Sequence, residues 1–230
     1  MLETDDPLAI PLWINGHAYL TMPPSFFDVR NPASGEILRR TPLCGAGEAQ
    51  KAVEAAQAAL ASWSGQTIAA RTVLLAALGD ALAGYTAHFA GLIVEETGKD
   101  ADAAAAEVGD AVALLRSPKE GGEAGVVAIV GDAAAPLLGA LSRAVPALLG
   151  GATAVIKPSP KAPSAIFALA ELTARNGFPA GVFNILQGDE AAVEGLCASP
   201  AVSILLFAGD AALGARVGEI AARHGKLFVA

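Results

Sequence analysis

The sequence predicts an α/β protein, a Rossmann-like doubly wound parallel sheet preceded by an N-terminal appendage of helices and short strands. Three observations predict it. From residue 126 onward, short runs of β-branched and aliphatic residues alternate with stretches of helix length. Those runs are apolar almost throughout rather than at every second position, as strands buried on both faces of a parallel sheet are. The segment before them is Ala-rich with helical spacing, and a break bearing Pro and Gly at 117–125 sets the two apart.

Taken in order, the first forty residues mix Pro, Gly, aromatic and β-branched types, and 12–14 (LWI) and 26–30 (FFDVR) read as small strands. Between 47 and 115 the spacing turns helical. Val53, Ala56, Leu60 and Trp63 share one face, and further helices are expected over 70–83, 86–97 and 101–115. The break SPKEGGEAG divides the chain into an N-terminal unit over 1–116, a linker over 117–125 and a Rossmann-like domain over 126–230. Within that domain strands are expected over 126–130, 153–157, 182–186, 204–207 and 226–229. Helices are expected over 136–149, 164–176, 191–198 and 212–224, because each parallel crossover needs a helix to return the chain. Such sheets bind ligands outside the carboxyl ends of their strands. That directs attention to Gly131 and Asp132, Pro158 and Ser159, Gly188 and Asp189, and Ala208, Gly209 and Asp210.

Composition excludes several classes. A net charge of −8, a pI near 4.8 and the lack of any Lys or Arg run argue against a nucleic-acid partner, whose phosphates need a basic stripe. Cys44 and Cys197 lie far apart without metal spacing, which points away from a disulfide framework or zinc site and toward a reducing, cytoplasmic setting. Residues 1–6 carry three acids and no basic region, so no secretory leader is expected. With 53% hydrophobic residues a membrane has to be considered. The longest apolar stretch, 136–156, contains Arg143, Pro146, Gly150 and Gly151 and lacks the roughly 20 unbroken apolar residues of a span, so a helix followed by a buried strand explains it better. His17, His88 and His224 are scattered, suggesting neither a triad nor a ligand cluster.

Five segments in register carry a resemblance: NPASGE (31–36), ETGK (96–99), TAVIKPS (153–159), GFPAGVFNILQG (177–188) and FAGDAALG (207–214). In this order and spacing the chain resembles the nucleotide-binding region of aldehyde dehydrogenases over nearly its whole length. The resemblance implies an oxidoreductase family that uses NAD or NADP. In that family the lysine of the KPS strand end contacts the adenosine ribose, which carries the role to Lys157, with Ser159 as a further donor and acceptor. On residue types alone, Lys157 merely solvating a strand end that Pro158 terminates stands equal to it; register with the other motifs favours the inherited site. The cofactor-binding set so implied is Val130, Lys157, Ser159, Gly188, Gly209, Asp210, Leu213 and Gly214.

The family's phosphate-binding turn, Phe-Thr-Gly-Ser before a helix, corresponds to Phe207, Ala208, Gly209 and Asp210. Asp210 places an anion where a helix N-terminus attracts a diphosphate. As an N-cap it contributes about 1 kcal/mol to the helix, and binding of NAD or NADP is expected to be weak. The loop carrying the family's oxyanion asparagine, approximately Pro-Trp-Asn-Phe-Pro, corresponds to Asp132, Ala133, Ala134, Ala135 and Pro136. Ala134 offers no amide, and losing such a donor costs about 3 to 4 kcal/mol of barrier height. The family's general-base glutamate and nucleophilic cysteine follow the last strand, beyond Ala230, and Cys44 and Cys197 match neither motif. The reading is a truncated, aldehyde dehydrogenase-like pseudoenzyme, inactive alone, with no catalytic residue or metal ligand of its own. Two others stay open. One is a non-catalytic scaffold or interaction subunit, a homo-oligomer or the partner of a catalytic subunit, using apolar surface near 227–229. The other is a gene remnant without a selected role. The segment 117–125 also replaces a longer stretch that in the family contributes to an oligomerisation hairpin, which puts the usual dimer contact in question.

Overall fold

The computed structural model describes residues 7–118 and 121–230; the acidic start at 1–6, and Lys119 and Glu120 of the expected linker, lie outside them. The N-terminal part holds β1 (Leu12–Ile14), β2 (His17–Tyr19), β3 (Phe26–Arg30), β4 (Ile37–Pro42), α1 (Ala46–Ser64), α2 (Ile68–Gly84), α3 (Thr86–Thr97) and α4 (Ala101–Arg116). Then come β5 (Val126–Gly131), α5 (Leu138–Leu149), β6 (Thr153–Lys157), α6 (Ser164–Arg175), β7 (Phe183–Ile185), α7 (Glu190–Ala198), β8 (Val202–Ala208), α8 (Ala211–Arg223) and β9 (Leu227–Val229).

The central sheet runs β2-β1-β7-β6-β5-β8-β9. Its five strands from β7 to β9 are parallel, and the chain starts in the middle at β5, winds outward through β6 and β7, then crosses to β8 and β9. The predicted fold class is thus the observed one. The crossing between β5 and β8 is the topological switch point, where adjacent helices leave on opposite faces and open a crevice. Alternation along the strands sorts the core into two layers. Val127, Ile129, Ala154 and Ile156 face a cluster built with α2 to α6, while Val126, Ala128, Val130 and Val155 face one built with α1, α7 and α8. Of the predicted α1 face, Val53, Ala56 and Trp63 are buried and Leu60 packs partly buried against it.

Some elements differ from the sequence reading for identifiable reasons. The hairpin β1–β2 joins the sheet itself: β1 pairs antiparallel with β7 through Trp13 and Ile185, and Asn15 N donates to Asn184 Oδ1 at 3.0 Å. Helix α5 starts at Leu138 rather than 136, because the Leu137 and Leu138 amides turn onto the buried carboxylate of Glu107. Strand β8 is longer than expected, since Val202 already pairs with Val126. The apolar stretch 136–156 is α5 followed by β6, and no single helix among the described residues is long and apolar enough to cross a membrane.

Candidate nucleotide site

The carboxyl ends of the parallel strands converge on a cavity of about 520 Å³. This is within the size range of small-ligand sites. Val130, Gly131, Asp132 and Ala134 enter from the end of β5, Lys157, Ser159 and Lys161 from the end of β6, Asp189 and Glu190 from the start of α7, and Asp210, Leu213 and Arg216 from α8. Val193, Val217 and Ile220 form an apolar wall between α7 and α8.

Strand geometry explains Lys157. It is the last residue of β6, so its side chain leaves the sheet at the crevice, and it is 5% exposed. Among the described residues its ammonium donates one hydrogen bond, to Gly188 O at 3.0 Å. Burial pushes its pKa down from 10.5 to about 8, against the opposing pull of Asp189 and Glu190. Gly188 can turn its carbonyl toward the lysine because its φ is +143°, where a Cβ would also strike Ala192 at 2.7 Å.

The turn after β8 is held by two carboxylates. Asp132 is 8% exposed; its Oδ1 accepts from Ala134 N at 2.7 Å and its Oδ2 from Asp210 N at 2.8 Å. Asp210 is the N-cap of α8, its Oδ1 accepting from Ala212 N at 2.8 Å and Leu213 N at 2.9 Å. Gly209 lies between them without room for a side chain, since a Cβ there would meet Asp132 Oδ2 at 2.6 Å and the Phe207 ring at 2.7 Å. The Phe207 carbonyl is fixed from the other side by Arg143 Nε at 2.8 Å.

Five of the eight sequence-derived residues therefore line one cavity: Val130, Lys157, Ser159, Asp210 and Leu213. The other three stand behind its walls. Gly188 supplies the acceptor for Lys157, and Gly209 and Gly214 let the β8–α8 turn close on Phe207. The sequence-derived set omits Asp132, Asp189, Glu190 and Arg216. Asp132 and Asp189 are among the strand-end positions to which the sequence directs attention, although the resemblance gives them no role; the reach of Glu190 and Arg216 depends on how α7 and α8 are set against each other. Both cysteines are free and buried, with thiols pushed up chiefly by burial, to about 12 for Cys44 and about 11 for Cys197. Among the described residues no group of three or more His, Cys, Asp or Glu could hold a metal ion.

The sequence matches the profile of the aldehyde dehydrogenase family over residues 22–124 and 122–230. The chain belongs to the aldehyde dehydrogenase family. Among its relatives, a succinate-semialdehyde dehydrogenase (NADP(+)) of Escherichia coli is 32% identical over 219 residues, covering 85% of this chain and 45% of the relative. A malonate-semialdehyde dehydrogenase of Pseudomonas aeruginosa is 29% identical over 221 residues, covering 86% and 44%. The crystal structure of lactaldehyde dehydrogenase from Escherichia coli superposes with a TM-score of 0.88 at 28% identity, covering 97% of this chain and 52% of that one. A mutant aldehyde dehydrogenase C from Pseudomonas syringae, complexed with NAD+ and octanal, gives 0.84 at 27% identity, covering 97% and 50%. The chain spans about half the length of the family members it matches. The cavity lies at the KPS strand end and at the turn between β8 and α8, with Ala134 and Asp210 both on its wall.

Proposed function

We propose that this chain is the nucleotide-binding half of an aldehyde dehydrogenase-type protein, that it binds NAD or NADP weakly, and that it does not oxidise aldehydes on its own. The observation that carries the proposal is the position of Asp210, whose carboxylate already holds the first amides of α8. In the family that turn receives the cofactor's diphosphate. An anion brought to the same amides meets the Asp210 charge and has to displace it. The remainder of the cavity suits the cofactor better. The Lys157 ammonium has three N–H donors and spends one on Gly188, leaving others for ribose hydroxyls. When bound, the nicotinamide cofactor supplies the hydride acceptor; the residues present in this chain contribute binding only. Ala134 puts its backbone N–H on Asp132 and has no side-chain amide for an oxyanion. Neither Cys44 nor Cys197 has access or thiolate character at neutral pH, so a nucleophile has to come from elsewhere.

Calorimetric titration with NAD and NADP tests this, alongside aldehyde-dependent cofactor reduction by the purified protein. The proposal expects weak binding, tighter binding by Asp210→Ser and no turnover. Appreciable NADH or NADPH production from any aldehyde overturns it.

A second reading, an interaction subunit, is favoured by one observation. Leu227 and Val229 of β9 are 63% and 39% exposed on the last strand of the sheet, an apolar edge of the kind that partners cover. On that reading light scattering gives a dimer or larger species, either a homo-oligomer or a complex with a catalytic subunit, and nucleotides leave its mass unchanged.

A further inference from the structure

Every helix that follows one of the strands β5 to β8 begins on a carboxylate of this same chain. The first amides of α5, from Leu137 and Leu138, donate to Glu107 Oε1 at 3.0 and 3.2 Å. At α6, Ser164 N donates to Glu96 Oε2 at 3.0 Å; at α7, Ala191 N donates to Asp189 Oδ1 at 3.1 Å. Asp210 serves α8, and its own N–H is taken by Asp132. Helix N-termini at the carboxyl rim of such a sheet are where a diphosphate finds its donors. Here each is already occupied by a fixed negative charge.

The other half of the cavity is differently made. Val193, Val217 and Ile220 offer an apolar wall between α7 and α8, a surface suited to the face of a planar base, and Lys157 and Ser159 bring hydrogen-bonding groups to the same cavity. Among the lining residues the cations Lys157, Lys161 and Arg216 face the carboxylates of Asp132, Asp189, Glu190 and Asp210, so the cavity has no excess positive charge to draw in an anion.

We infer that this cavity selects a nucleoside-type ligand, a planar base with ribose and a neutral or cationic 5′ end, and discriminates against a 5′-diphosphate. The inference rests on the nucleotide-pocket reading above and goes further by reversing the usual order of preference. A ligand ending at the ribose uses the apolar wall and the lysine, and its 5′ end faces the carboxylates of Asp132 and Asp210 without adding charge. A diphosphate brings at least two negative charges against them, and such like-charge repulsion weakens binding roughly tenfold or more.

The test is calorimetric titration of the whole chain with adenosine, ADP and NAD, repeated with Asp210→Ser, Asp132→Asn and Lys157→Met. Adenosine is expected to bind tighter than ADP by roughly tenfold or more, with the gap narrowing as salt screens the carboxylates. Asp210→Ser is expected to raise ADP affinity relative to adenosine, and Lys157→Met to weaken adenosine. Asp132→Asn should act like Asp210→Ser; if it fails to fold, Asp210→Ser carries the comparison. ADP or NAD binding as tightly as adenosine to the parent overturns the inference while leaving the nucleotide pocket in place. Adenosine binding that Lys157→Met leaves unchanged also overturns it, because the ligand then sits elsewhere. No binding of adenosine, ADP or NAD removes the pocket reading itself, and the inference with it.

Discussion

Replacing Lys157 by Met isolates the electrostatic cost of the buried ammonium beneath the cavity. Burial lowers its pKa from 10.5 to about 8, the carboxylates of Asp189 and Glu190 only partly offsetting the loss of water. Because the folded value lies below the unfolded one, folding disfavours the charged form. The penalty is fully present below pH 8, shrinks as pH rises from 8 toward 10.5 and is gone above that range. At 1.36 kcal/mol per pKa unit it comes to about 3 kcal/mol at pH 7 and about 1 kcal/mol at pH 10. Met keeps an unbranched apolar stem and cannot carry the charge. Constant terms, such as the Gly188 carbonyl left without its donor, shift the variant equally at all pH values. Titration of Cys44 and Cys197 is common to both proteins and cancels. The stability of Lys157→Met minus that of the parent should therefore fall by about 2 to 3 kcal/mol between pH 7 and pH 10. Urea unfolding followed by tryptophan fluorescence across that range measures it. A difference that stays level would refute the reasoning, because it would mean that the ammonium is solvated in the folded protein.

Three other outcomes are expected. Glu107→Ala strips the Leu137 and Leu138 amides of their acceptor and leaves Lys99 without its carboxylate, which should cost about 2 to 4 kcal/mol in urea unfolding; a loss under about 0.5 kcal/mol would show that water replaces the carboxylate. Gly209→Ala forces a methyl into Asp132 and Phe207 and should destabilise by about 1 to 3 kcal/mol, read as a lower thermal midpoint. The native protein at pH 7.5 should leave Cys44 and Cys197 unalkylated by iodoacetamide, with both labelled once urea unfolds the chain; rapid labelling of either in the native state contradicts its burial and raised pKa.

What the sequence discloses depends on how local its causes are. Strand β5 and the centre of β6 are runs of Val, Ile and Ala buried throughout, β8 is apolar except at Ser203, and the helices between them follow from chain return. Strand β2 is mostly exposed and β4 is largely half-buried and carries Arg39 and Arg40, so neither shows a strong apolar pattern; they exist because β1 and β3 lie beside them. The cavity was legible where a strand end supplies the side chain, as with Lys157 and Ser159, and at Asp210, whose role as a cap is a matter of two and three residues. The roles of Asp132, Glu96 and Glu107 were not. Their partners lie 78, 68 and about 30 positions away, and nothing in the residues around an acid tells which distant amide it will meet.

The pairing of β1 with β7 also has a consequence in time. The Asn15 to Asn184 hydrogen bond spans 169 positions, so β1 leaves the ribosome long before its neighbour β7 is made. At ordinary rates of synthesis the interval is on the order of 10 to 30 s. During it the β1–β2 hairpin has no sheet to join and a two-stranded ribbon is barely stable alone. Closure of the sheet on that side is a late, long-range event in the folding of the nascent chain, and the Trp13 side of the core waits for it.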